Sequence, residues 1–124
     1  MKKSDSSENY LKNILILHKR LGRVRSSDVA EKMGVTRPSV SSAMKKLRQE
    51  EMIYFNEEGY IFFTELGKKI AEKIYSKHLL LTRLLVSMGV SESVADQEAC
   101  DIEHAISDET YECINRFYKT HIMA

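Results

Sequence analysis

Breakers and cross-links are scarce in this chain. Its 124 residues include one proline, five glycines, no tryptophan and two cysteines. With so few Pro and Gly residues and no biased tract, a low-complexity or disordered chain is excluded. Cys100 and Cys113 are too few for a disulfide framework and are expected as thiols in a reducing compartment. No run of about 18 apolar residues occurs, so a membrane-spanning helix is not expected. The opening MKKSDSSEN lacks the apolar centre of a secretory leader, which makes the cytoplasm the expected location.

An excess of one charge is also missing overall, since the net charge is +1. The balance conceals an asymmetry. Residues 1–75 hold 15 Lys or Arg against 10 Asp or Glu, whereas residues 76–124 hold 4 against 8. A basic half suits an anionic partner, and an acidic half suits a cation or a protein surface.

The stretch SSDVAEKMGVTRPSVSSAMKKL, residues 26–47, has a helix-turn-helix pattern. Ser27 is the expected cap of a first helix whose apolar edge is Val29, Ala30 and Met33, and Gly34 stops it. Thr36 caps a second helix with Pro38 in its first turn, where the missing N–H costs nothing. Val35, Val40, Ala43, Met44 and Leu47 face inward. Arg37, Ser39, Ser41, Ser42, Lys45, Lys46 and Arg48 face outward, with four cations and no carboxylate. Short hydroxyl side chains let a helix approach base edges in a major groove while lysines and arginines neutralise phosphates, although the same face would also suit a solvated helical hairpin.

Before this motif a helix is expected from about Ser7 to Leu21, with Tyr10, Leu11, Ile14, Leu15 and Leu17 on its apolar face. After it, MIYFNEEGYIFF places β-branched and aromatic residues on both sides of Asn56–Gly59, which predicts a hairpin wing. Thr64 then caps a long helix with a stripe at Leu66, Ile70, Ile74, His78, Leu81, Leu85 and Met88, ended by Gly89.

In SESVADQEACDIEHAIS, the residues Asp96, Cys100, Glu103 and His104 fall at i, i+4, i+7 and i+8 and so share one helical face. Cys, Glu and His on adjacent turns can converge on a metal ion. A catalytic thiol is disfavoured, because no oxyanion element accompanies it. A polar face with a half-buried thiol is the plainer alternative. The final segment can be capped by Ser107 or Asp108. Its Tyr111, Ile114, Phe117 and Tyr118 form a mostly aromatic stripe suited to a two-fold dimer interface.

Taken together, ENYLKNI, TRPSVS, TELGKKIA, KHLLLTRLL and EACDIEHAISDE resemble the metal-dependent repressors typified by the diphtheria toxin repressor and the manganese transport regulator. The resemblance spans nearly the whole chain, in the short form without the C-terminal SH3-like domain. It implies that Cys100, Glu103 and His104 are metal ligands, that Asn9 adds a ligand from the first helix, and that His78 ligates as well. Four positions depart from the family pattern. Asn9 replaces Met or Asp, Lys12 replaces a Glu of the manganese branch, and Thr82 and Asp96 replace ligands of the iron branch.

The expected fold is mainly α: a winged helix-turn-helix DNA-binding domain at 1–73, then a small all-helical dimerisation and metal-binding domain at 74–124. The expected function is a metal-responsive regulator, not an enzyme, that represses metal-uptake genes as a homodimer on double-stranded DNA. Thr36, Arg37, Pro38, Ser39, Ser41, Ser42, Lys45 and Lys46 are the expected DNA contacts. Asn9, His78, Asp96, Cys100, Glu103 and His104 are the metal candidates. Iron(II) is favoured over manganese(II), with zinc, cobalt or nickel also compatible. A winged-helix regulator answering to a small molecule or a protein is the alternative.

Overall fold

The computed structural model describes residues 3–123. In chain order these form α1 (Lys3–Leu21), α2 (Ser26–Met33), α3 (Arg37–Gln49), β1 (Ile53–Phe55), β2 (Ile61–Phe63), α4 (Glu65–Ser87), α5 (Glu92–Ile102) and α6 (Asp108–His121). The chain divides between Lys73 and Ile74 into two compact units. No helix among the described residues is long and apolar enough to cross a membrane.

In the first unit, α1 begins at Lys3 rather than near Ser7. Nothing in residues 3–21 breaks a helix, so the polar opening simply extends it. Tyr10, Leu11, Ile14, Leu15 and Leu17 are buried, and Val24, Val29, Val40, Met44, Leu47, Ile53 and Ile61 complete the core.

The cap of α2 corrects the expectation of Ser27. Arg25 stands at the N-cap, and its backbone N–H donates to Asp28 Oδ2 at 2.8 Å. The acid three residues on thus satisfies the helix start, and no serine hydroxyl is needed. At the other end Gly34 takes φ 65°, a conformation that favours glycine. For α3, Thr36 Oγ1 accepts from the Ser39 N–H at 3.3 Å, and Pro38 lies in the first turn.

The wing is an antiparallel pair with Ile53 opposite Phe63, Tyr54 opposite Phe62 and Phe55 opposite Ile61. Its turn is built by Asn56, whose Oδ1 accepts from the N–H groups of Glu58 at 3.0 Å and Tyr60 at 2.9 Å. The hairpin is tied to α1 by His18, whose Nε2 donates to the Ile61 carbonyl at 2.7 Å beside the rings of Phe62 and Phe63.

The stripe read along α4 needs a correction at both ends. Leu66 and Met88 are 50% and 69% exposed, while Ala71, Ile74, His78 and Leu81 are buried. The start of α4 turns Gly67 inward instead of Leu66, and a Cβ on Gly67 would lie 1.8 Å from the Met52 carbonyl oxygen. That carbonyl also accepts from the Thr64 N–H at 3.0 Å, so wing and helix meet backbone to backbone. Gly67→Ala is therefore expected to destabilise the unit by at least the ~1–3 kcal/mol typical of overpacking, because backbone rather than a pliant side chain must move. A lower urea midpoint with an unchanged m-value is the expected observation; an unchanged midpoint would mean that this close approach tolerates a methyl group.

In the second unit, Leu80, Leu81, Ala95 and Ala99 are buried. Here α5 starts after Ser91 and α6 after Ser107, whose Oγ accepts from the Thr110 N–H at 3.2 Å; this settles the open choice of cap for α6. Lys77 Nζ, itself buried, donates to the Ile106 carbonyl at 3.4 Å and lies 3.6 Å from Asp108 Oδ1, holding the α5–α6 loop to α4. No residue of α6 is buried.

Candidate metal centre and nucleic-acid face

The candidate centre is assembled from the middle of α4 and the end of α5. His78 projects from α4, and Cys100 from the last turn of α5. Glu103 follows the helix end at Ile102, yet its N–H still bonds to the Ala99 carbonyl at 2.9 Å, which keeps it in helical register. These three side chains offer one nitrogen, one sulfur and one oxygen, all within 4.8 Å of one another. Glu103 is fully buried and His78 is 7% exposed.

His78 stands between two carboxylates. Its Nδ1 lies 2.8 Å from Glu103 Oε1 and its Nε2 lies 2.7 Å from Asp96 Oδ1. Only a doubly protonated ring can donate at both ends. Cys100 Sγ lies 3.9 Å from His78 Nδ1. A carboxylate this deeply buried requires a positive or hydrogen-bonding partner, and the imidazole supplies one.

The donor set fits a transition-metal ion. Two ligands at ~2.0–2.3 Å from an ion in tetrahedral geometry stand roughly 3.4 Å apart, so His78 Nδ1 and Glu103 Oε1 need separate only slightly to share one. Loss of the Nδ1 proton would accompany that exchange, because proton and metal compete for the same lone pair.

Asp96, Cys100 and Glu103, at i, i+4 and i+7, all meet His78, and only His104 stands beyond the helix and its C-cap residue Glu103. His104 lies in the turn after Ile102, and its Nε2 is 3.3 Å from Glu103 Oε2, so it meets the carboxylate from outside the group of three. Asp96 is 68% exposed and meets the far nitrogen of His78. Asn9 belongs to α1, where its carbonyl oxygen and Oδ1 accept from Asn13 Nδ2 at 2.8 and 3.4 Å.

On α3 the residues Arg37, Ser39, Ser41, Ser42, Lys45 and Arg48 are exposed and Lys46 is half-buried. Thr36 and Pro38 lie exposed at the helix start. Two cations were missed by reading α3 alone. The guanidinium carbons of Arg23 and Arg25 lie 5.2 and 4.2 Å from the centroid of the Tyr60 ring on the wing. The alternation Arg-Val-Arg beside a hairpin was the available signal, since Val24 between them is fully buried.

On the stripe of α6, Tyr111, Ile114 and Tyr118 are half-buried, and Phe117 is 54% exposed.

Residues 2–61 match the description "Iron dependent repressor, N-terminal DNA binding domain", and residues 64–121 match "Iron dependent repressor, metal binding and dimerisation domain". The transcriptional regulator MntR of Escherichia coli is 29% identical over 114 residues, which are 92% of this chain and 74% of that protein. An uncharacterised HTH-type transcriptional regulator of Methanocaldococcus jannaschii is 36% identical over 118 residues, 92% of this chain and 93% of that one. Among solved structures, that of the manganese regulator SloR superposes with a TM-score of 0.80 at 31% identity, covering 91% of this chain. This chain spans about half (53%) of the SloR chain. With both halves matched and the helix-turn-helix, wing and His-Cys-Glu cluster in place, this chain belongs to the iron-dependent repressor family of metal-dependent, DNA-binding transcription regulators.

Proposed function

We propose that the chain is a cytoplasmic, non-catalytic repressor of metal-uptake genes that binds operator DNA as a homodimer loaded with a divalent ion. The observation that carries this reading is the convergence of His78, Cys100 and Glu103 in a chain that also presents a cationic helix-turn-helix face. His78, Cys100 and Glu103 would hold the ion, with His104 adjoining as a further ligand and the Asp96 carboxylate orienting the His78 ring from its far nitrogen. Bound there, it supplies a dicationic cross-link between α4 and the end of α5. A thiolate in the set favours iron(II), cobalt, nickel or zinc over manganese, which prefers oxygen-rich sites.

In the DNA complex Ser39, Ser41 and Ser42 would approach base edges, with Thr36, Arg37 and Pro38 at the helix start and Lys45 and Lys46 on phosphates. Two such helices in a dimer would enter successive major grooves about 34 Å apart. Metal and DNA should then strengthen each other's binding by one common factor, typically ~1–3 kcal/mol.

Anisotropy titrations of a labelled duplex across a salt series, with and without cobalt(II), test this. Affinity should fall steeply with salt, and Lys45→Ala with Lys46→Ala should reduce the log–log slope by about 1 for each phosphate no longer neutralised. An unchanged slope in that double variant would remove α3 from the interface. Equal affinity with and without metal would remove the metal from the switch.

A further inference from the structure

The loop between α1 and α2 bends at Gly22 and Arg23 and then passes beside the wing with extended backbone at Arg25. The Val24 carbonyl accepts from the Ile61 N–H at 2.8 Å, adding one bond to the edge of β2. Val24 is buried and flanked by Arg23 and Arg25, which are both exposed. Their guanidinium groups gather over the half-buried ring of Tyr60. Arg25 is fixed further by a bond from Nη1 to the Glu58 carbonyl at 2.8 Å.

Two like charges held on one ring repel each other. Neither has a carboxylate partner among the described residues: the one acid at this helix start, Asp28, accepts from the Arg25 backbone. The turn that adjoins them has the exposed carboxylates of Glu57 and Glu58, which disfavour insertion of the wing tip itself into a duplex. The paired cations thus sit on the flank of the wing beside its turn, Arg25 being bonded to the turn's backbone rather than to its acidic side chains, and the wing packs against α3 through β1.

We infer that Arg23 and Arg25, ordered on Tyr60, form a preassembled clamp for the DNA backbone, binding phosphates that flank the groove entered by α3. This inference rests on the DNA-binding reading above and adds a second anchoring point to it. Planar guanidinium groups suit phosphate bidentately, and stacking on an aromatic face removes in advance the rotamer freedom that a free arginine would give up on binding. Tyr60 acts as a positioning residue, carrying no charge of its own.

The test uses the full chain with cobalt(II), a fluorescein-labelled 30-bp duplex of mixed sequence, and potassium chloride from low to moderate concentration. Arg23→Ala with Arg25→Ala should lower the log–log salt slope by about 1 per arginine in each bound chain. Arg23→Lys with Arg25→Lys should keep the slope yet weaken binding severalfold. Tyr60→Leu should do the same, which a merely electrostatic role for the arginines would not produce. Should the double alanine variant fold poorly, the lysine and leucine variants still decide the matter through affinity at equal slope. A full slope in the double alanine variant, alongside a reduced one in the Lys45→Ala, Lys46→Ala variant, would overturn the clamp while leaving DNA binding by α3 intact. Unchanged slopes in both would overturn the DNA reading itself.

Discussion

Replacing Cys100 by alanine is expected to weaken cobalt(II) binding by more than about 100-fold, exceeding the ~10–100-fold typical of removing a partner outside the ligand shell. Disappearance of the thiolate-to-cobalt absorption band should accompany it. Metal-stimulated DNA binding should vanish as well, while the weaker affinity measured in chelator stays unchanged. Cys100 is the clean position for this test. It is only part-buried, and its sulfur lies a long 3.9 Å from His78 Nδ1. His78→Ala should abolish metal binding too, but it also leaves the fully buried Glu103 carboxylate without its 2.8 Å partner, at a cost of ~1–3 kcal/mol or more in stability.

Cys100→Ser separates the choice of metal from the presence of a site. An oxygen donor in place of sulfur should narrow the gap between iron(II) or cobalt(II) and manganese(II), because the soft ligand is gone while Glu103 and His78 remain. In the unaltered protein, metal affinity should fall as pH falls, since thiol and imidazole must give up protons to bind. Full metal-stimulated binding in Cys100→Ala would exclude the thiol from the switch and leave a site centred on His78 and Glu103.

What could be read before the structure was local chemistry with short reach. Thr36, Gly34, Pro38, Asn56 and Gly59 each impose a backbone conformation on their own neighbours, so the helix-turn-helix and the wing turn follow from a few residues in order. The start of α2 differs from the expectation because residue type alone points to Ser27, whereas the chain is anchored two residues earlier by the Arg25 N–H donating to the Asp28 carboxylate. Spacing by threes and fours along α4 could not reveal that Gly67, lacking a side chain, is the residue placed against Met52. The same limit applied at the end of α5. Periodicity continues through EHAIS and Glu103 keeps the helical register into full burial, but the helix stops at Ile102, so spacing alone could not place His104 in the turn that follows. The cluster on Tyr60 joins residues more than thirty positions apart, and the bond between Val24 and Ile61 is what brings them together.

Phe117→Asp is expected to turn the dimer into monomers, with the dissociation constant raised by more than about a thousandfold. In the isolated chain none of the residues of α6 is buried, and Phe117, Ile122 and Met123 are 54%, 36% and 67% exposed. Apolar surface exposed on this short helix and on the two residues that follow it calls for a cover, and a second copy of the same face supplies it if the interface approaches the usual ~800 Å² per partner. An unpaired carboxylate buried at its centre costs several kcal/mol, and ~4 kcal/mol corresponds to about three powers of ten in the dissociation constant. Phe117 is the better probe than the half-buried Ile114, because a charge at Ile114 would also disturb packing within its own chain. The Phe117→Asp monomer should therefore keep the cobalt(II) site and its helical content, and bind DNA more weakly because two recognition helices no longer act as one. Sedimentation at several protein concentrations decides it. If Phe117→Asp and Ile114→Asp both sediment as dimers with unaltered dissociation, the two-fold interface lies on another face, and the aromatic stripe of α6 is packing for its own chain alone.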